Sequence, residues 1–360
     1  MKAHQFSSEV NVLYQKMMAS DNPIEAIRAV YSLAQVQSKD EALSALLKGL
    51  ELKNPEIKIA ILDILSQSDF FNPKITLPVS KLLKDPDIEV KFHTIQLLGS
   101  LKDKIAVPYL IKALNTPNEK PRIRHAIMAS VANIGDKEAS KSLEQWAYSD
   151  NWKDRYRVSD AIGMIADPRS IDVLLRLLKD PNPKVRENAA ISVGHFDDPE
   201  VIKQLLIMLD DNTPAVRAAA IYMLGEKRTK SATKSIVDVL KSENTELIFV
   251  ALEALGKIRD PIAIPPIIKL LETHQDGIQT TAENTLDLFE IQDLYEPLSR
   301  AIANDTKLTY FQKRINSTGK DQENFLSNKD DIKYFMNFYT QLKGKLGKNS
   351  SKKPTYGKKI

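Results

Sequence analysis

Histidine, aspartate and arginine are the residues of this chain whose types and spacing could do chemistry, and each can be tested against the geometry that chemistry needs. A helix binds a metal through ligands at i and i+3 or i+4, or through a Glu beside the His as in His-Glu-x-x-His. None of His4, His93, His125, His195 and His274 has a second histidine at that spacing, and no His-Glu dipeptide occurs. The absence of cysteine removes disulfides, thiolate nucleophiles and cysteine-rich zinc sites together. There is no Gly-x-x-x-x-Gly-Lys-Ser/Thr and no dinucleotide fingerprint. Carboxylate catalysis needs two acids held at a defined separation in a cleft, which an acid in a turn does not supply. The sequence offers no catalytic residue, metal ligand or cofactor site, and the expectation leans away from an enzyme.

Two groups of residues are more suggestive. Arg186 and Arg217 stand at corresponding places, with Lys91 and Arg155 as counterparts, and Asp180, Asp211 and Asp85 stand six residues before Arg186, Arg217 and Lys91. They could form a basic ladder for an anionic chain, or Asp–Arg pairs that tie each turn to the next helix. The second use is expected, because a residue that follows a period serves what every repeat needs, and in one unit the Arg place is taken by Ile248. The other group is WAYSDNWKDRY, which collects both tryptophans, Trp146 and Trp152, with Tyr148, Arg155 and Tyr156, and Arg157 next to it. Aromatic and Arg side chains are enriched at binding hot spots, and a ring can stack on a base where a basic groove holds the strand. The same rings could fill a wide junction between irregular repeats. These six residues are the first candidates for partner binding.

The elements that position them follow from a period. Gly163, Gly194, Gly225 and Gly256 are spaced by 31 every time. Gly135 is out of step, but the Asp four places after each anchor is Asp136, which puts that anchor at Ala132; Gly99, Ser66 and Ala34 precede it at steps of 32 or 33, and Asp287 follows in a weak last unit. On this scale His93 and His125 miss alignment by one residue. Nine units cover residues 21–302. In each, a first helix such as 183–193 opens on Pro and carries Val185, Ala189 and Val193 as one apolar stripe. The Gly is expected to end that helix, and an Asp to restart the chain. Asp103, Asp136, Asp167, Asp198 and Asp260 read as N-caps of a second, leucine-rich helix. Two short helices cannot bury their own apolar faces, so each pair must cover the next. The fold class expected is all-α, a right-handed α-α superhelix or solenoid of about nine helix pairs, on the order of 90 Å along its axis.

These units resemble HEAT repeats of the phycobilisome-lyase type, through Asp180-Pro181, Val185-Arg186, Ala189-Ala190 and Gly194, and again through Val216-Arg217, Ala219-Ala220 and Leu224-Gly225. The resemblance implies that the Val-Arg helices line the concave side and the leucine-rich helices the convex side. Proteins with such repeats serve as adaptors, scaffolds, chromophore-lyase components and enzyme platforms, so the resemblance fixes architecture far more than function. The HEAT-repeat hydroxylases carry repeated His-Glu iron ligands, which this chain lacks.

Outside the repeats, residues 1–20 read as an N-terminal capping helix and 303–327 as a linker. Residues 328–346 read as an amphipathic helix with Ile332, Phe335, Met336, Tyr339 and Leu342 on one face and Phe338 beside it. It could cap the open last repeat or dock in a partner's groove, which makes Phe335, Phe338 and Tyr339 further candidates. Residues 347–360 read as a disordered basic tail. Seven lysines and no acid fall in 341–360, so the net charge of +4 belongs to the tail and the rest sums to about -3. Such a tail could draw the protein to nucleic acid or anionic lipid. No stretch approaches a membrane span or a signal-peptide core, and a cytoplasmic location is the expectation. The leading expectation is a protein-binding scaffold or adaptor; the alternatives are a phycobilin-lyase-like chromophore attachment or chaperone component, and a nucleic-acid-binding HEAT-like protein.

Overall fold

The computed structural model describes residues 6–290 apart from 21, 68 and 272–275, together with positions 293 and 297. Among these, every regular element is a helix. Helix α1 (Ser8–Ala19) precedes eight pairs. These are α2 (Pro23–Gln35) with α3 (Lys39–Gly49), α4 (Pro55–Leu65) with α5 (Thr76–Ser80), α6 (Ile88–Leu101) with α7 (Val107–Leu114), and α8 (Pro121–Ile134) with α9 (Ser140–Leu143). Then come α10 (Trp152–Ile165) with α11 (Ile171–Leu177), α12 (Pro183–Val193) with α13 (Pro199–Met208), α14 (Pro214–Glu226) with α15 (Thr233–Val239), and α16 (Thr245–Ile258) with α17 (Ile264–Leu270). Helix α18 (Asp276–Leu286) opens a ninth unit. The chain is an all-α solenoid of stacked helix pairs. The segments 303–327, 328–346 and 347–360, with Phe335, Phe338 and Tyr339, lie outside the described residues, as do His4 and His274.

The chain divides into two compact units, Met1–Leu224 and Gly225–Ile360. In the first, α2, α4, α6, α8, α10 and α12 lie side by side in order, and the second helices pack against them. The core sits between these two rows. Val185, Ala189 and Val193 are fully buried, as are Leu110, Leu174 and Leu205 from the second row. Each of the Val and Leu side chains contributes about 1.5–3 kcal/mol on burial. Several first helices start on an Asn or Asp that accepts backbone N–H groups, Asn54 from Glu56 and Ile57, Asp87 from Glu89 and Val90, Asn182 from Lys184, whereas Lys120 before α8 gives no side-chain cap. In the second unit α16 packs against α15 and α18, around Leu247, Ile248, Leu252 and Leu255.

Gly194 ends its helix as expected, standing directly after Val193 at the end of α12, but the other glycine anchors do not. Gly99, Gly163, Gly225 and Gly256 lie inside α6, α10, α14 and α16, and close packing explains them. A Cβ on Gly163 would sit 2.7 Å from Ser192 Cβ, one on Gly99 2.9 Å from Ser130 Cα, and one on Gly225 2.7 Å from Ala254 Cα. The small residue lets the backbone of the next first helix touch its own. Termination comes three residues later, at Lys102, Gly135, Ala166, Arg228 and Arg259, all with φ between 49° and 72°. This left-handed cap also explains why Gly135 looked out of step: it is a cap glycine, and its unit's anchor is Ala132.

The turn aspartates follow expectation with one exception. Asp103, Asp167, Asp198 and Asp260 accept from the amides of Ile105, Arg169, Glu200 and Ile262. Asp136 caps nothing through its side chain and lies 3.5 Å from Lys104 Nζ instead. At Asp103, Asp167 and Asp260 the capped segment is a 3-10 turn, Lys104–Ala106, Pro168–Ser170 or Pro261–Ala263, that leads into the second helix.

Candidate functional site

The periodic basic residues Lys58, Lys91, Arg124, Arg155 and Arg186 of the first helices are held by the stack itself. Arg155 donates through Nε and Nη2 to Asp180 at 2.7 and 2.9 Å, and through Nη1 to the carbonyl of Ser149 at 2.8 Å. Arg186 repeats this one unit on, with Asp211 at 2.8 and 3.0 Å and the Asp180 carbonyl at 2.8 Å. Each carboxylate also accepts an amide two residues ahead, Asn182 on Asp180 and Thr213 on Asp211, which closes its own turn. Lys58 reaches Asp85 at 2.5 Å, Lys91 reaches Glu119 at 2.8 Å, and Arg124 reaches Asp154 at 2.8 Å. The paired carboxylate therefore belongs to the following repeat. The acid six residues upstream, expected to be the partner, gives its backbone carbonyl to Arg186 and to Arg217 at 2.7 Å. The place 25 residues after Arg217 is Ser242, so that step of the acidic series is missing from the sequence.

The electrostatics agree with this geometry. Burial by itself would raise the Asp180 and Asp211 pKa values, but the hydrogen bonds from Arg155 and Arg186, the turn amides and the guanidinium charges hold both carboxyls below the usual range. Arg155 and Arg186 are raised, chiefly by the hydrogen bonds to those same acids. Glu119 is lowered as well: burial by itself would raise it, but the Lys91 bond, the Lys120 amide and the charges of Lys91 and Arg124 together outweigh that.

The aromatic cluster is divided between two elements. Trp146 and Tyr148 lie in a 3-10 segment, Glu144–Tyr148, that replaces the end of the second helix after α9. The Arg124 guanidinium sits 5.2 Å from the Trp146 ring centre, and Trp146 Nε1 is buried without a hydrogen-bond partner. Tyr148 is 66% exposed, with the Arg176 guanidinium stacked at 3.9 Å while Arg176 Nη2 donates to the Ala147 carbonyl. Trp152 opens α10 with Lys153 Nζ 5.9 Å above its ring, and Tyr156 carries Arg157 at 5.6 Å on the same helix. Arg155, between them, belongs to the ladder. Arg124 and Arg176 are the aromatic partners that the sequence did not single out.

Histidines take part in similar ties. His125 Nε2 is 2.7 Å from Asp154, whose other oxygen accepts from Arg124 and from Ser149 Oγ, and His93 Nδ1 is 2.9 Å from Asp63. Among the described residues no group of three His, Asp or Glu side chains is placed to hold a metal ion, and no helix is long and apolar enough to cross a membrane. Away from these ties, a groove of about 640 Å³ between α1 and α2 is lined by Leu13, Lys16, Arg28, Ala29 and Ser32 among others.

The outward face of the first helices in the first unit is accessible. Ten residues before Ser66, Gly99, Ala132, Gly163 and Gly194 stand Glu56, Glu89, Arg122, Lys153 and Lys184. The sign changes once, where the Arg122 guanidinium pairs with Glu89 and stacks 4.3 Å from the Phe92 ring centre. Nearer the helix ends the face carries Met164, Ile191 and Tyr222, 56, 40 and 42% exposed.

Helix pairs in sequential contact, with a small-residue seam and a turn-to-turn ladder, define a helical-repeat protein. Residues 75–158, 143–214 and 202–287 each match the model for HEAT repeats, and the chain belongs to that family. Kap121p is 12% identical with a TM-score of 0.56, over 88% of this chain and 40% of its own length; a D353K/E396K/D438K mutant of it gives 0.58 over the same shares. An engineered protein is 17% identical with a TM-score of 0.48, covering 83% of this chain and 95% of its own. Human deoxyhypusine hydroxylase in complex with glycerol is also 17% identical, with a TM-score of 0.31, over 78% of this chain and 96% of the hydroxylase. No curated protein sequence matches this chain.

Proposed function

We propose that this chain is a protein-binding scaffold or adaptor, acting through the outward face of its first helices. One observation carries the reading. The periodic cations, which a polyanion would need free and in line, are turned into the neighbouring repeat's acids, as Arg155 is into Asp180 and Arg186 into Asp211. Left on the face are scattered charges of both signs with exposed apolar and aromatic side chains such as Met164, Ile191 and Tyr222, a mixture suited to protein surfaces. The finer likeness to the phycobilisome-lyase type rests on the Asp-Pro, Val-Arg and Ala-Ala motifs alone. Pigment transfer by the pure protein would put that role in place of this one. The direct test is recovery of the tagged full chain from extract, with and without nuclease. A protein partner retained in stoichiometric amount after nuclease supports the reading, and recovery of nucleic acid alone overturns it.

A further inference from the structure

The chemistry of the partner can be taken a step further at α10 and α12. Their shared outward face holds two unlike features side by side. The first is charge. At the register position that carries Glu56 and Glu89 earlier in the unit, these helices carry Lys153 and Lys184, and Arg157 follows Lys153 by one turn. Lys153 and Arg157 have only aromatic neighbours, Trp152 at 5.9 Å and Tyr156 at 5.6 Å, and make no ion pair among the described residues. Lys184 pairs with Glu187 on its own helix at 3.1 Å and is 63% exposed, and Asp160 is the remaining acid of the α10 face. Arg122, one repeat back, is already neutralised by Glu89. The N-terminal ends of α10 and α12, beside these cations, add the positive pole of each helix.

The second feature is apolar. Met164 near the end of α10 and Ile191 near the end of α12 are exposed on adjacent packed helices. Packed helix axes lie about 10 Å apart, close to the rise between residues i and i+7 of a partner helix, about 10.5 Å. A phosphate backbone gains nothing from such apolar steps. A peptide with side chains of both kinds uses both features.

We propose that the α10–α12 face docks an acidic, apolar segment of a partner protein, its carboxylates over Lys153, Arg157 and Lys184 and its apolar side chains over Met164 and Ile191. The proposal rests on the scaffold reading and names the chemistry of what that surface receives. Charge of this kind sets approach and direction, and apolar contact sets residence.

The test is fluorescence anisotropy on the full chain with three labelled probes: a helical peptide with Leu at i, i+3 and i+7 and Glu elsewhere, its twin with Lys for Glu, and an oligo-dT strand. The Glu peptide should bind at least about tenfold more tightly than the Lys twin, with affinity falling as salt rises. The variant K153E/R157E/K184E should reverse that preference, an exchange that unfolding cannot produce, and M164S/I191S should weaken the Glu peptide without reversing it. Equal binding of the two peptides, an unchanged preference in the charge-reversed variant, or an oligo-dT affinity above that of the Glu peptide and lost in that variant would each overturn the proposal. If the charge-reversed protein still retains the same nuclease-resistant partner from extract, this site falls and the scaffold reading stands. If wild-type protein retains none, the scaffold reading falls with it.

Discussion

The repeats from α4 to α12 and those built on α14 and α16 share one steric plan and differ in electrostatics. Both regions place a glycine against a small residue of the next first helix, Gly163 on Ser192 in one and Gly225 on Ala254 in the other. Both end a first helix on a left-handed residue three places later, Ala166 and Arg259. The ladder, however, is a property of the earlier repeats. Where Asp180 and Asp211 close their turns with a carboxylate that also receives an Arg, the turn before α16 closes with Ser242 Oγ accepting from Asn244 N. The Arg place is Ile248, 6% exposed. Close approach is therefore common to the two regions, while the ion pair can be replaced by apolar burial.

Substitutions in the two regions should divide along that line. Ile248→Ala removes a buried side chain that stands where other repeats have an ion pair, and should cost about 3 kcal/mol in urea unfolding. A cost under about 0.5 kcal/mol would show that burial has not taken over there. Asp180→Ala strips the paired carboxylate from Arg155 and opens its own turn, and should cost about 2 kcal/mol, between the exposed and buried limits for ion pairs. Because the folded pKa of Asp180 lies below its unfolded value, its contribution is complete above the unfolded value of about 3.9 and is lost as pH falls through the folded one. The acid limb of Asp180→Asn, followed by circular dichroism, should accordingly be flatter than that of wild type. Gly163→Ala and Gly225→Ala should each cost about 1–2 kcal/mol, alike in the two regions; a marked inequality would break the claim of a common seam. The smallest effect is a gain. Ala166→Gly and Arg259→Gly relieve a left-handed residue and should stabilise by about 0.5–1 kcal/mol, read as a raised melting temperature.

The period, the helix pairs and the capping aspartates could be read from the sequence because each rests on local chemistry repeated many times. The misreadings came from ambiguities that a period cannot resolve. In an array of period 31, an acid six residues before one Arg is also 25 residues after the previous Arg, so Asp180 could serve Arg186 or Arg155 with equal sequence support. Only packing shows that its carboxylate takes the earlier one. Glycine near a helix end suggests a cap by conformational preference, as at Gly194, yet Gly99 and Gly163 are needed for contact and their caps fall on Lys102 and Ala166. Asp136 carries the same motif position as Asp103 and makes no cap hydrogen bond, its unit departing from the pattern through α9 and the following 3-10 turn. The aromatic segment was found by composition, but the removal of Arg155 from it required the three-dimensional ladder.

Because Arg186 looks forward to Asp211 and Asp211 looks back to Arg186, the stretch of residues 181–211 brings one donor and one acceptor of its own. A second copy spliced in after Asp211 would find a carboxylate ahead of its Arg and an Arg behind its acid, with no polar group stranded at either seam. The array can lengthen by whole cassettes without new chemistry at the joints.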